Sequence, residues 1–193
     1  MKQQITWMAV ATAMAVGSIV AAPTASIATG ATTVTADAEF LAAAKSLNVT
    51  VAPITGTKLI FKILAGNIDL ANANGEILHG GGLVLKSATT KVELRNFIID
   101  TTGDAPVLTG LVVANEVTVG RLPLFNLNVP LGFEASLPLK AKGTTKSLTL
   151  SSIDMKLSDG AAKALNGAFK VSAFKAGLQI GMAKVQAFGL MNK

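Results

Sequence analysis

The amino-acid sequence predicts a mainly β domain, an antiparallel β-sandwich or barrel with two short helices, one near each end of the mature chain. Three observations predict it. Short apolar runs alternate with period two between turn signals made of Gly, Pro and Asn. Two stretches alone carry an N-cap followed by an apolar stripe at helical spacing. Half of the 193 residues are hydrophobic, 15% are charged and none is Cys, so the chain is neither disordered nor a disulfide scaffold and must be held by packing.

Residues 1–28 read as an export signal. Lys2 is the charged start, Ile5 to Ala22 the apolar run, and Ser26 and Ala28 the small residues before a cut ahead of Thr29, with Ala25 a competing cut. Gly17 and Pro23 interrupt the run and no basic cluster follows, which favours a cleaved leader over a membrane anchor. Residues 29–193 then form one β-rich domain, secreted or held at the cell surface or envelope.

Asp37 to Leu47 is the first helix. Thr35 or Asp37 caps it, Glu39 sits in the first turn, and Phe40, Ala44 and Leu47 share a face; Asn48 tolerates the left-handed backbone that ends it. Val49 to Ile54 is a strand stopped at Pro53. From Lys58, Leu59, Phe61 and Ile63 face one way, and after Ala65-Gly66 the apolar parity moves to Ile68 and Leu70, the mark of a bulge or tight bend. Asn72 to Gly75 is a turn. Gly75 to Asp100 is a hairpin, with Ile77-Leu78 and Leu83 to Leu85 on one side, Val92 to Ile99 on the other, and the polar loop Lys86 to Lys91 between.

Val107 to Val119 makes two strands, or one covered on both faces. Leu122 to Phe133 alternates cleanly, but Pro123, Pro130 and, further on, Pro138 cannot donate to a ladder, which puts this strand at an edge or bends it. Thr145 to Leu157 repeats the parity switch across Ser151-Ser152. Ser158 to Phe169 is the second helix, capped by Ser158, with Ala161, Leu165 and Phe169 on one face. Val171 to Phe188 is read as two short strands around Gly177 or Gly181.

The chemistry available is narrow. A net charge of +6 is spread as single Lys residues, without a basic cluster or exposed stacking rings, so a solvated surface is preferred to nucleic-acid binding. One His, no Cys and no Tyr exclude thiol nucleophiles and multi-His metal centres, and residues 29–193 contain no G-x-S-x-G elbow, P-loop or dinucleotide fingerprint. The reading is of a protein that is not an enzyme, with no catalytic residue and no metal site.

His79 is the one residue with distinctive chemistry, since a neutral imidazole can ligate a metal or haem iron. The adjoining Gly80, Gly81 and Gly82 let the backbone bulge or a flat ligand approach. The plainer alternative is a strand end, half-exposed, with the ring bonded to a loop carbonyl. Gly75-x-x-x-His79-x-Gly81-x-Leu83-x-Leu85, continuing to Phe97-Ile98-Ile99-Asp100, resembles the motif of haem-transport-associated (HtaA-type) domains and related actinobacterial secreted proteins. The resemblance covers about a sixth of the chain and implies a β-rich module of a secreted or wall-anchored haem-uptake protein, which makes haem possible; the residues themselves call for no cofactor. Only His79 carries over as a ligand, because this chain has no Tyr to match the family's Tyr.

Two functions follow. The first is a non-enzymatic binding module for an apolar small molecule, lipid- or porphyrin-like, with His79 and the Gly run at its mouth and Phe61, Phe97, Phe125 and Phe133 lining it. The second is a structural envelope protein whose apolar strands pair with further copies, as a homo-oligomer, or with cell-envelope components.

Overall fold

A computed structural model describes residues 24–130 and 147–191. In chain order the elements are β1 (Thr24–Ala36), α1 (Ala38–Ser46), β2 (Thr50–Pro53), β3 (Ile60–Asp69), β4 (Gly75–His79), β5 (Gly82–Lys86), β6 (Lys91–Asp100), β7 (Val107–Ala114), β8 (Val117–Asn128), β9 (Ser147–Leu157), α2 (Asp159–Phe169) and β10 (Gln179–Met191). All ladders are antiparallel. They run β6-β4-β3-β1-β10-β9-β8-β7, and β7 pairs back with β6, which closes an eight-stranded barrel. Of the sandwich and the barrel, the chain forms the barrel.

Both helices form where their caps predict. The Asp37 carboxylate accepts from the backbone N–H of Glu39 (2.9 Å) and Phe40 (3.1 Å), and Asn48 follows α1 with φ +57°. The Ser158 hydroxyl accepts from Ala161 N–H at 3.0 Å and donates to the Pro123 carbonyl at 2.7 Å, so one residue starts α2 and ties it to β8. Phe40 and Ala44 of α1, and Ala161, Ala162 and Leu165 of α2, are the buried faces.

The parity switches are bulges. The β3–β4 register slips between Ile63 and Ala65, and the β9–β10 register slips opposite Ser152, whose φ is +59°. Val107 to Val119 holds two strands joined at Asn115 (φ +46°) and Glu116 (φ +69°), the doubly positive pair of a type I′ hairpin. β8 is bent rather than at an edge, because its ladder with β7 slips beside Pro123 while it also pairs with β9.

One reading changes. Val171 to Phe188 holds a single strand, β10, which pairs along its length with β1 and β9; the glycine at 181 sits inside it opposite Ala36. The Thr/Ala-rich segment ahead of α1 forms β1, between β3 and β10. Thr24 to Ala28, assigned above to the leader, belong to this strand, and Ile27 is 4% exposed in the core.

The glycine run is where the sheet changes partners. β4 pairs with β3 as far as Ile63 opposite His79, and Gly80 N–H still reaches the Lys62 carbonyl at 2.9 Å. From Gly82 onward the neighbour is β2, with Pro53 opposite Leu83, while β6 stays on the other side throughout. Gly81, at φ +85°, supplies the break, and Asn96 at φ +50° answers it on β6 by donating to the Gly81 carbonyl at 3.0 Å. A Cβ on Gly82 would collide with the Leu94 carbonyl oxygen, so the strands approach there as closely as glycine permits.

Candidate functional site

His79 ends β4 pointing inward and is 2% exposed. Its Nε2 lies 2.7 Å from the Thr32 hydroxyl of β1, across the intervening β3, and its Nδ1 has no hydrogen-bond partner. Burial removes the ring from water and lowers its pKa from 6.5 to about 4; the backbone at Ile77 and Phe97 pulls the other way, without meeting Nδ1 in hydrogen-bond geometry. The imidazole is therefore neutral at physiological pH. His79 is neither at a mouth nor half-exposed, as the two sequence-based alternatives had it.

Around this ring is a small void of about 40 Å³ in the barrel interior, bordered by His79, Thr32, Phe61, Phe97, Phe125 and Met155 among others. Phe61 and Phe97 meet edge to face, centroids 5.1 Å apart at 83°. Three of the four Phe candidates and the His thus come together, although four strands supply them. Phe133 lies outside the described residues. Gly80, Gly81 and Gly82 border neither this void nor the larger cavity beside it; they shape the strand crossing described above.

The larger cavity, about 280 Å³, lies between α2 and the inner faces of β5, β6, β7 and β8. Leu85, Val92, Leu94, Val112, Leu124 and Leu157 form its walls, with Ala161 and Leu165 of α2 as its roof. Phe40, Val51, Leu83, Phe125 and Ile180 separate it from the void around His79. Among the described residues Lys163 is its one ionisable lining residue, paired with Asp159 at 2.6 Å on the exposed side of α2. An eight-stranded barrel has an interior wide enough to be filled by side chains or to hold one small ligand, and here it does the first near His79 and leaves room for the second beneath α2.

Sequence reasoning had the roof of this cavity in part, as the Ala161 and Leu165 face of the second helix. It missed Thr32, which lies in a segment without apolar periodicity. It also missed the walls as a group, because they come from separate strands whose adjacency no local pattern records.

A porphyrin is not accommodated by these residues as they stand. The void at His79 is about the size of one or two waters, and among the described residues no His, Met, Tyr or Cys borders the cavity beneath α2. Among the described residues no group of three His, Asp or Glu side chains gathers to hold a metal ion.

No protein-family model matches the chain, and no curated protein does. Solved structures do. The C-terminal domain of HtaA from Corynebacterium glutamicum superposes with a TM-score of 0.62 at 16% identity, covering 86% of this chain and 99% of that one. A histidine-to-alanine variant of the same domain, a domain-swapped dimer, gives 0.51 at 18% identity over 78% and 90%. The heme binding protein HtaB of the same organism gives 0.51 at 11% over 88% and 96%. At these identities the likeness is one of fold, and it is consistent along nearly the whole chain: the protein has an HtaA-like fold.

Proposed function

We propose that this is an exported, non-enzymatic binding protein for an apolar small molecule, which it holds in the cavity beneath α2. The observation that carries the reading is a cavity of about 280 Å³ with aliphatic walls; a second space of about 540 Å³, between Ile68, Ile77, Ile99 and Ile153, is bordered as well by the polar turn residues Asn72, Asn74, Thr101 and Asp104 and suits an apolar molecule less. Interiors pack with few voids larger than a water molecule, so an apolar space of this volume is unusual unless something occupies it. The likeness of fold to HtaB, called a heme binding protein, supports a binding role over a catalytic one. Closure of the barrel favours it over assembly through apolar strands, since pairing β6 with β7 leaves the barrel strands no free edge and the edge that remains is β2, four residues ending at Pro53.

Native mass spectrometry of protein purified from exporting cells tests the reading. A retained small molecule is expected, and Val112→Trp, which fills the cavity from its wall, is expected to release it. Retention unchanged in that variant, or protein that neither retains nor acquires any apolar molecule, would overturn the assignment.

The HtaA-like fold favours haem as a second reading, with His79 as the iron ligand. Ligation through Nε2 would require the ring to leave Thr32, whereas the unpartnered Nδ1 is free to ligate; either way the surrounding Phe side chains must part. Titration with haemin decides it: a Soret shift present in the wild type and lost in His79→Ala would establish this reading, and an identical response in both would remove it.

A further inference from the structure

Resting on the reading that the cavity beneath α2 is a binding site, the geometry points to its ligand class: a single unbranched acyl chain of about ten to twelve carbons whose anionic head stays in water beside Lys163.

Volume sets the size. A cavity of about 150 Å³ takes up benzene, so one of about 280 Å³ takes roughly a dozen heavy atoms. That is far short of a porphyrin and short of a long-chain lipid. Wall chemistry sets the kind. Leu85, Val92, Leu94, Val112, Leu124 and Leu157 are aliphatic, and among the described residues no buried side-chain donor or acceptor left without a partner borders the space to fix a polar ligand. The two aromatic side chains, Phe40 and Phe125, stand at the partition toward His79 rather than as a facing pair that would clamp a flat ring.

The mouth sets the orientation. Val119 of β8 is 56% exposed although it borders the cavity, and Lys163, Ala164 and Gly167 on the facing edge of α2 are exposed as well. A Cβ added at Gly167 would meet nothing within 4 Å. An opening between β8 and α2 therefore leads from solvent to the aliphatic walls, with Lys163 beside it. A carboxylate or phosphate there keeps its hydration, so the chain can be buried without burying the charge. Lys163 already holds Asp159, but both are exposed, and such a pair exchanges readily for another anion.

The test is calorimetric titration of the delipidated protein with octanoate, decanoate, dodecanoate, hexadecanoate, decanol and haemin. Affinity is expected to rise about fourfold per methylene from octanoate to dodecanoate and to stop rising by hexadecanoate. Decanoate should bind several-fold more tightly than decanol, and Lys163→Met should abolish that preference while leaving decanol unchanged. Gly167→Leu combined with Ala164→Phe, both at exposed helix positions where folding is spared, should weaken decanoate at least tenfold. Affinity that ignores chain length, a plugged variant that still binds, or decanol equal to decanoate would overturn the inference. Haemin binding without fatty-acid binding would overturn it while leaving the binding role intact, and no binding of any of these compounds would remove both.

Discussion

His79 Nε2 and Thr32 Oγ1 lie 2.7 Å apart inside the barrel, joining two strands that are not neighbours. Each is 2% exposed, so each depends on the other for its hydrogen bond in a space otherwise lined by hydrocarbon. The pair is a polar staple across β3, held at the point where the strand bearing His79 breaks into the glycine run.

The staple makes stability pH-dependent. In the unfolded chain the ring titrates near 6.5, and in the fold near 4, so between these values the unfolded state binds the extra proton. The neutral ring's contribution is complete above pH 6.5 and is lost as pH falls toward 4, by roughly 3 kcal/mol. Denaturant unfolding at pH 7 and pH 4.5 should show the loss in the wild type and a smaller one in His79→Leu. Glu93, hydrogen-bonded and ion-paired to Lys91 and Arg95, and Asp100, hydrogen-bonded to Thr102, have pKa values held below the ordinary carboxylate range, and their contribution is lost further into acid in both proteins.

Thr32→Val leaves both ring nitrogens of His79 without partners in a buried site. The expected cost is about 1–3 kcal/mol, measured by equilibrium unfolding at pH 7. Combined with His79→Leu, which replaces both polar groups by apolar ones, the loss should be smaller than the two single losses together. Strict additivity would mean that the contact does not contribute.

Ser158→Ala removes both the N-cap of α2 and the bond to the Pro123 carbonyl. It should cost about 1–2 kcal/mol and speed amide hydrogen exchange in the first turns of α2 ahead of the barrel strands. Because α2 roofs the larger cavity, the affinity for an occupant should fall with it. Exchange that rises equally in β1 and β10 would show global loosening instead.

Ala25 to Ile27 carry register pairs to both β3 and β10, Thr24 pairs with β3, and Ile27 is buried. A chain beginning at Thr29 should therefore be less stable than one beginning at Thr24, by about 1.5–3 kcal/mol for Ile27 alone. If the proposed export with a cleaved leader holds, the cut is expected before Thr24, and N-terminal sequencing of protein recovered outside the cell checks it.

Local chemistry in the sequence determined much of this protein. Asp37 and Ser158 announced the helices, because a capping side chain acts within three residues of itself. The parity switches at Ala65-Gly66 and Ser151-Ser152 announced bulges, since side-chain direction alternates along a strand whatever the partner. The loop from Lys86 to Lys91 announced its hairpin. β1 was illegible because its Thr and Ala residues owe their places to neighbours on both sides, not to an apolar pattern of their own. Tertiary structure alone decided that β6 would pair with β7 and close the barrel, that His79 would be buried against Thr32, and that Phe61, Phe97 and Phe125 would share one void. It also decided that the glycine run would serve a change of strand partners and that an aliphatic space would lie beneath α2. These are contacts between residues tens of positions apart, whose energy depends on excluded water and packed volume, quantities that exist only once the chain has closed on itself.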